Sequence, residues 1–286
     1  MRYILIVVSS IMLIFSLESC GITDNDQPIP YYLDLKNVQT TEPLTGAPGT
    51  HKITDIWVFA DGQIQGVYPL PAKVPLIWED RQTTIRILPG IRNNGMNDTP
   101  VLYPFFKEIE LTITPEQLKV YTVPLVFRYI DNCKFSVNEN FENSNIFNFY
   151  LDPNSESRLE QTTDMASTGQ KSAAITLTKA GVFTEIGSAI EVVKGQNLRG
   201  KSYVEFDYKG EGEIAVGIAK TLGTITTIEY FLFVPAKPDW NRIYVDVTDK
   251  TSSNNYDTYR LLLGFTKTGN SAETKIYIDN YKHIHF

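Results

Sequence analysis

The stretch Lys201–Lys220, KSYVEFDYKGEGEIAVGIAK, decides the fold. Side chains of an extended chain alternate between two faces, so Val204, Phe206 and Tyr208 project to one side and Glu205 and Asp207 to the other. Gly210-Glu211-Gly212 reads as the turn that ends the strand. An apolar face opposite an acidic one is the pattern of an antiparallel strand packed on one side and wet on the other. The expectation is a packed Val-Phe-Tyr face and a solvated Glu205–Asp207 face.

Working outward, apolar residues nowhere recur at helical spacing for three turns after residue 20, whereas period-two alternation returns repeatedly between Gly, Pro, Asn and Asp. The chain reads as all-β. Predicted strands in the first half are Tyr32–Asn37, Lys52–Ala60, Gln63–Tyr68, Thr83–Leu88, Lys107–Thr114 and Val120–Tyr129. Asp61-Gly62 inside FADGQIQGVY is a hairpin signal, because Gly accepts positive φ and Asp tolerates it. These strands predict an immunoglobulin-like or transthyretin-like β-sandwich over residues 32–131, followed by a second sandwich over 132–286. The seam falls in YIDNCKF, residues 129–135, where few contacts should cross and protease should release two folded pieces. The long loop PGIRNNGMNDTPVLYPFF ends on Tyr103, Phe105 and Phe106, which read as a staple tucking the loop onto the sandwich rather than as a binding platform.

In the second half, NFE (140–142), the TGQKSA turn (168–173), YVEFDYK (203–209), WNRIYVDVT (240–248) and the terminal IYIDN (276–280) follow in an order that resembles the jelly-roll, galactose-binding-like and carbohydrate-binding modules of exported Bacteroidetes lipoproteins. The resemblance spans Cys133–Phe286 and implies a jelly-roll fold with glycan as the favoured ligand. It also implies a structural calcium. In calcium-stapled modules of this kind, an acid near the first strand and another in the last close an oxygen cage, and Glu142 and Asp279 match those positions. Two carboxylates only nucleate a shell of six to eight oxygens. The alternative is that Asp279-Asn280 caps a terminal turn and Glu142 is solvated.

Catalytic signals are weak. Glu205 and Asp207 resemble part of the Glu-x-Asp-x-Glu pattern of laminarinase-like jelly-roll hydrolases, but Glu211 stands too far along and lies in the turn. His283 and His285 share a face of the last strand and read as solvent-facing, with no third metal ligand nearby. There is no phosphate loop, no Gly-x-Ser-x-Gly elbow and no Cys-His pairing. The expectation is a protein that is not an enzyme. For sugar stacking, Tyr256 and Tyr259, beside TSSNNYDT, are the predicted exposed ligand-binding rings, whereas Trp240 should pack at a strand entrance.

The N-terminus carries the localisation. Ile4–Phe15 form an apolar segment of twelve residues behind Arg2, too short to span a bilayer, and residues 1–19 read as a signal peptide. Leu17 and Ser19 before Cys20 resemble a bacterial lipobox, although Glu18 departs from its usual small residue. Cys20 is the expected lipidation site and residues 20–31 the tether. Asp24 and Asp26 loosely resemble the surface-export signal of Bacteroidetes lipoproteins, which implies an outer-membrane protein facing the cell surface; the alternatives are a solvated linker and retention on the periplasmic face. A chain cut before Cys20 keeps 25 basic and 32 acidic residues, and neither half is basic, so nucleic acid is an improbable partner. With Cys20 acylated, only Cys133 remains, and core burial rather than a disulfide must stabilise the fold. Two roles stay open: glycan binding, or service as an accessory or scaffold subunit of an outer-membrane transport or secretion complex. A glycoside hydrolase is the minor alternative.

Overall fold

The computed structural model describes residues 27–42, 46–96, 99–193, 200–252 and 255–286, and within them the chain is nearly all β. Cys20, the predicted signal peptide and most of the predicted tether lie outside these residues.

The first sandwich has two sheets. In one, Pro30–Thr41 is central, pairing antiparallel with Pro48–Gly49 and Ala72–Ile77 and parallel with Val120–Phe127. In the other, Asp55–Ala60 lies between Gln63–Pro69 and Thr83–Ile91, and the latter also pairs with Val101–Leu102 and Ile109–Ile113. The predicted hairpin is present: Ala60 pairs with Gln63 around Asp61 and Gly62, at φ 49° and 79°. The two positive dihedrals match the twist of the flanking strands, and Asp61 Oδ1 accepts the Thr84 amide at 2.9 Å, tying the turn to the next strand. Leu33, Leu35, Ile56, Val58, Ile85, Ile87, Leu125 and Phe127 meet between the sheets.

The second sandwich is a jelly roll of two six-stranded sheets. Its inner sheet runs Leu159–Thr162, Ser172–Thr178, Glu273–His285, Ser202–Gly210, Asn241–Asp246, with Lys134–Glu139 also on Glu273–His285. The outer sheet runs Phe147–Tyr150, Phe183–Ser188, Thr258–Thr266, Glu213–Leu222, Ile225–Pro235, with Val192–Val193 also on Thr258–Thr266. Between them, Val204, Phe206, Ile214, Val216, Ile218, Leu261, Leu263, Phe265, Ile276 and Ile278 are buried. Each such side chain contributes about 1.5–3 kcal/mol relative to exposure. Gly210 and Gly212, at φ 128° and 97°, make the predicted turn at the end of the Ser202–Gly210 strand.

The other face of Ser202–Gly210 corrects the sequence reading. Every residue from Ser202 to Tyr208 is buried, because the first sandwich covers the side expected to be wet. Tyr203, Tyr244 and Ile284 of the inner sheet join the core of the first sandwich, against Tyr103, Phe105, Phe106 and Tyr129. The long-loop staple therefore clamps two sandwiches together: Tyr103 packs on Tyr203 and Tyr244 at 5.5 and 5.0 Å between centroids, and Phe105 on Phe286 at 4.8 Å. Contacts do cross the seam, contrary to the expectation of an open joint.

Candidate functional site

The acids singled out by sequence form the centre of that seam. Arg242, on the strand beside Ser202–Gly210, donates to Glu205 Oε2 at 2.5 Å, to Asp207 Oδ1 at 2.8 Å and to Thr50 Oγ1 of the first sandwich at 2.6 Å. Tyr103 and Tyr129, also of the first sandwich, donate their hydroxyls to Glu205. Burial tends to lower the Arg242 pKa, but the two carboxylates outweigh it and hold the guanidinium well above its ordinary value. Burial and the Glu205 charge push the Tyr103 hydroxyl well up. Glu205 and Asp207 are 0% and 2% exposed, so neither can reach a glycosidic bond. Nor are they solvated, as the strand pattern suggested. They hold an interdomain ion cluster.

The other predicted residues have structural roles as well. Tyr259 lies on Thr258–Thr266 with Leu261, Leu263 and Phe265, on the face turned to the core, and is 0% exposed. Tyr256 is 2% exposed and donates its hydroxyl to the Thr251 carbonyl. The expectation that these rings stand in solvent is overturned, because the TSSNNYDT segment leads into a strand buried on both faces. His283 and His285 are buried too, at 0% and 2% exposure, with His283 Nε2 3.0 Å from Ser202 Oγ and His285 Nε2 2.8 Å from Ser136 Oγ. Burial lowers the His283 pKa to about 3, so its ring is neutral at physiological pH. Trp240 is half-buried beside Tyr277, as expected.

Glu142 and Asp279 hold one turn from two sides. Glu142 Oε1 accepts the amides of Gln170 and Lys171 at 2.8 and 3.0 Å. Asp279 Oδ2 accepts those of Ser167 and Thr168 at 2.9 and 3.3 Å, and its Oδ1 accepts that of Asn280. The partners are N–H donors, which a cation would have to displace. Among the described residues, no group of three or more His, Cys, Asp or Glu side chains is placed to hold a metal ion. These residues do not form the oxygen cage that calcium needs. Asp279-Asn280 does not cap a terminal turn either. Asn280, at φ 48°, makes a bulge in mid-strand opposite Glu205–Asp207, so that Ile276 and Ile278 before it and Tyr281 after it all face the core.

A different surface has the chemistry of recognition: the solvent side of the outer jelly-roll sheet. With Ile186, Val216, Leu261, Leu263 and Val234 turned inward, the alternate residues turn out. Register then places Phe149, Gly187, Leu262, Gly217 and Tyr230 in one row across five strands. The neighbouring row is Glu185, Gly264, Ala215 and Phe233, and beyond it Phe183 pairs with Thr266. The middle strands thus carry glycine and alanine, and the aromatic rings come from the flanks. Phe149, Phe183 and Phe233 are 42%, 44% and 58% exposed, which is unusual for phenylalanine on a folded surface. A bulge at Phe147/Phe149 turns Phe149 outward, and the Arg260 guanidinium lies 4.1 Å from its ring centroid. Arg260 also donates to the Ser188 carbonyl, and its stem runs over Gly187. Glu185 and Arg260 set polar groups among the rings.

Sequence reasoning missed this face. Its signal was present in EIAVGIAK, where large residues alternate with Ala, Gly and Ala, and in FTEIGS and RLLLGF, which bring Gly187 and Gly264 to the same surface.

At the seam, a cleft of about 610 Å³ is lined by Glu42, Lys107, Arg128, Asp131, Cys133 and Phe135, among others. Lys107 pairs with Asp131 and Glu42 with Lys282, and burial raises the Cys133 thiol to about 11.

No family model and no curated protein matches the sequence. Several solved structures are similar in part. The CBM22-1 xylan-binding domain of Paenibacillus barcinonensis Xyn10C matches at 11% identity and a TM-score of 0.39, over 53% of this chain and 94% of that one. A carbohydrate-binding module described for promiscuous specificity in the β-sandwich superfamily matches at 16% identity and 0.36, over 80% and 84%. A family 30 carbohydrate-binding module matches at 12% identity and 0.40, over 52% and 87%.

Proposed function

We propose that the chain is a non-catalytic glycan-binding protein, tethered to the outer membrane through Cys20, whose binding surface is the outer face of the jelly roll. The observation that carries this reading is the pairing of half-exposed Phe149, Phe183 and Phe233 with a floor of Gly187, Gly217, Gly264 and Ala215. Sugar rings present apolar C–H faces that stack on aromatic rings, while their hydroxyls need donors and acceptors such as Arg260 and Glu185. Small residues between the flanking strands let neighbouring side chains of this face lie close to the sheet. The seam serves the site by immobilising the inner sheet, leaving the outer sheet as the free working face.

The test is retention of the intact protein on a panel of insoluble and soluble polysaccharides. Phe149→Ala, Phe183→Ala and Phe233→Ala should each weaken binding by about 0.5–1.5 kcal/mol, the range for an aromatic stacking contact. Their melting temperatures should change little, since the rings are already exposed. A triple variant that binds like the wild type would refute the assignment. For the tether, Cys20→Ala should leave a soluble or poorly processed protein. A variant still in the membrane fraction after a high-salt wash would count against lipidation.

The assembly reading has one observation of its own. Among the described residues, Ile225–Pro235 is paired along one edge only, and Ile225, Ile228 and Phe233 are exposed on it, a strand open to a partner's backbone. Co-purification with outer-membrane proteins, lost when Ile228→Lys is introduced and accompanied by no polysaccharide retention, would favour it.

A further inference from the structure

The floor of the aromatic face is not open. Ala215, Ala219 and Leu262 point away from the core yet are 3%, 5% and 0% exposed, so other side chains of this chain cover them. Tyr230 covers the glycines among them. A Cβ built on Gly217 would lie 2.6 and 2.7 Å from two Tyr230 ring carbons, and one built on Gly264 would lie 3.4 Å from that ring and 3.2 Å from Phe183. Tyr230 therefore reaches from its edge strand across Gly217 to Gly264, lying in a trough that exists only because both positions lack a side chain. Its hydroxyl is buried beside the Glu185 carboxylate, and burial together with that neighbour pushes its pKa well up. The strand itself bulges at this position, with one residue extra between Tyr230 and Leu232.

Resting on the glycan reading above, we propose that Tyr230 is the specificity-determining residue of this face: by filling the glycine trough it keeps the surface flat, selecting the broad face of a packed polysaccharide over a single soluble chain. Neighbouring strands stand about 4.8 Å apart, so a trough over Gly217, Ala215 and Gly264 would be about 10 Å wide. That is room for one sugar chain lying along it. With Tyr230 in place no chain can sink between the flanking rings, and only a ligand wide enough to rest on Phe149, Phe183 and Phe233 together gains the full stacking area. A β-1,4-linked chain with equatorial hydroxyls offers such apolar faces when many chains pack side by side.

The experiment uses the intact protein with two probes, particulate β-1,4-glucan or xylan and the corresponding soluble hexasaccharides. Tyr230→Ala opens the trough by removing the ring. Gly217→Ala displaces the ring by a different route, because the new methyl group would stand 2.6 Å from it and 2.9 Å from the Glu229 carbonyl oxygen. Tyr230→Phe keeps the ring and removes only the hydroxyl. Wild type and Tyr230→Phe should be retained on particles and bind hexasaccharide weakly. Tyr230→Ala and Gly217→Ala should each raise the ratio of hexasaccharide affinity to particle affinity at least tenfold. Retention of the wild type on particles with that ratio unchanged in both variants would overturn the inference and leave the glycan reading standing. No retention of the wild type on any polysaccharide would overturn the glycan reading, and this inference with it.

Discussion

His283→Phe isolates the energetic consequence of a neutral histidine sealed in the jelly-roll core. The imidazole is wholly buried against Tyr259 and Ser202, its Nδ1 has no hydrogen-bond partner among the described residues, and burial with the neighbouring His285 lowers its pKa to about 3. In the unfolded chain the value returns to about 6.5. Between those two values the unfolded state holds a proton that the native state does not. Stability is therefore complete above pH 6.5 and falls as pH drops, at about 1.4 kcal/mol per pH unit. From pH 7.5 to 4.5 the loss is about 2.7 kcal/mol for this group. Phenylalanine at 283 removes the titration, so the cost of the substitution, set at neutral pH by the lost Ser202 hydrogen bond, should shrink by that amount at pH 4.5. Urea unfolding of both proteins across this range measures it, and the comparison cancels every other titrating group. A cost that stays constant within about 0.5 kcal/mol would show that the folded protein accommodates the imidazolium, refuting the argument.

Asp279 runs the other way: burial raises it to about 7, so the native state binds its proton first, and the stability this contributes at low pH is lost as pH rises through 7. Asp279→Asn should therefore cost about 2.7 kcal/mol more at pH 5 than at pH 8 by urea titration, and a pH-independent cost would contradict it. Arg242→Met, which leaves Glu205 and Asp207 buried without their cation, should destabilise by about 3–5 kcal/mol, whereas combining it with Glu205→Gln and Asp207→Asn should recover most of the loss. A single Arg242→Met cost below about 1 kcal/mol in calorimetry would mean the seam is looser than its packing implies. Tyr259→Ala should lose about 3–5 kcal/mol of stability without changing the sugar affinity of the protein that remains folded, and a selective loss of affinity would return that ring to the binding site.

The all-β architecture was legible because period-two alternation and turn residues act locally. Asp61-Gly62 and Gly210-Glu211-Gly212 make the expected turns. Ala72–Ile77 was missed, since Pro75 breaks the look of a strand, and it is tolerated because the strand pairs only with Pro30–Thr41. What could not be read was which wet-looking face is wet. Glu205 and Asp207 have the same alternation whether water or Arg242 lies opposite, and the cation stands 35 and more residues away in sequence. The same blindness exposed Tyr256 and Tyr259 on paper. A strand buried on both faces was inferred from one.

The aromatic face was hidden for a related reason, and its composition sharpens the functional argument. A sheet face that merely contacts water has no need of glycine, which weakens a strand and offers nothing to pack. Here Gly187, Gly217 and Gly264 fall on three adjacent strands in two neighbouring rows, although EIAVGIAK, FTEIGS and RLLLGF are far apart in the chain. None of the three needs a positive φ, so backbone geometry does not require them. What they share is a neighbour lying where a Cβ would stand: Arg260 over Gly187, Tyr230 over Gly217, Phe183 and Tyr230 over Gly264. The glycines thus lower the sheet so that a guanidinium stem and two aromatic rings can lie down on it. The close approach of these side chains to the sheet, on which the proposed sugar-binding surface depends, follows from three missing side chains.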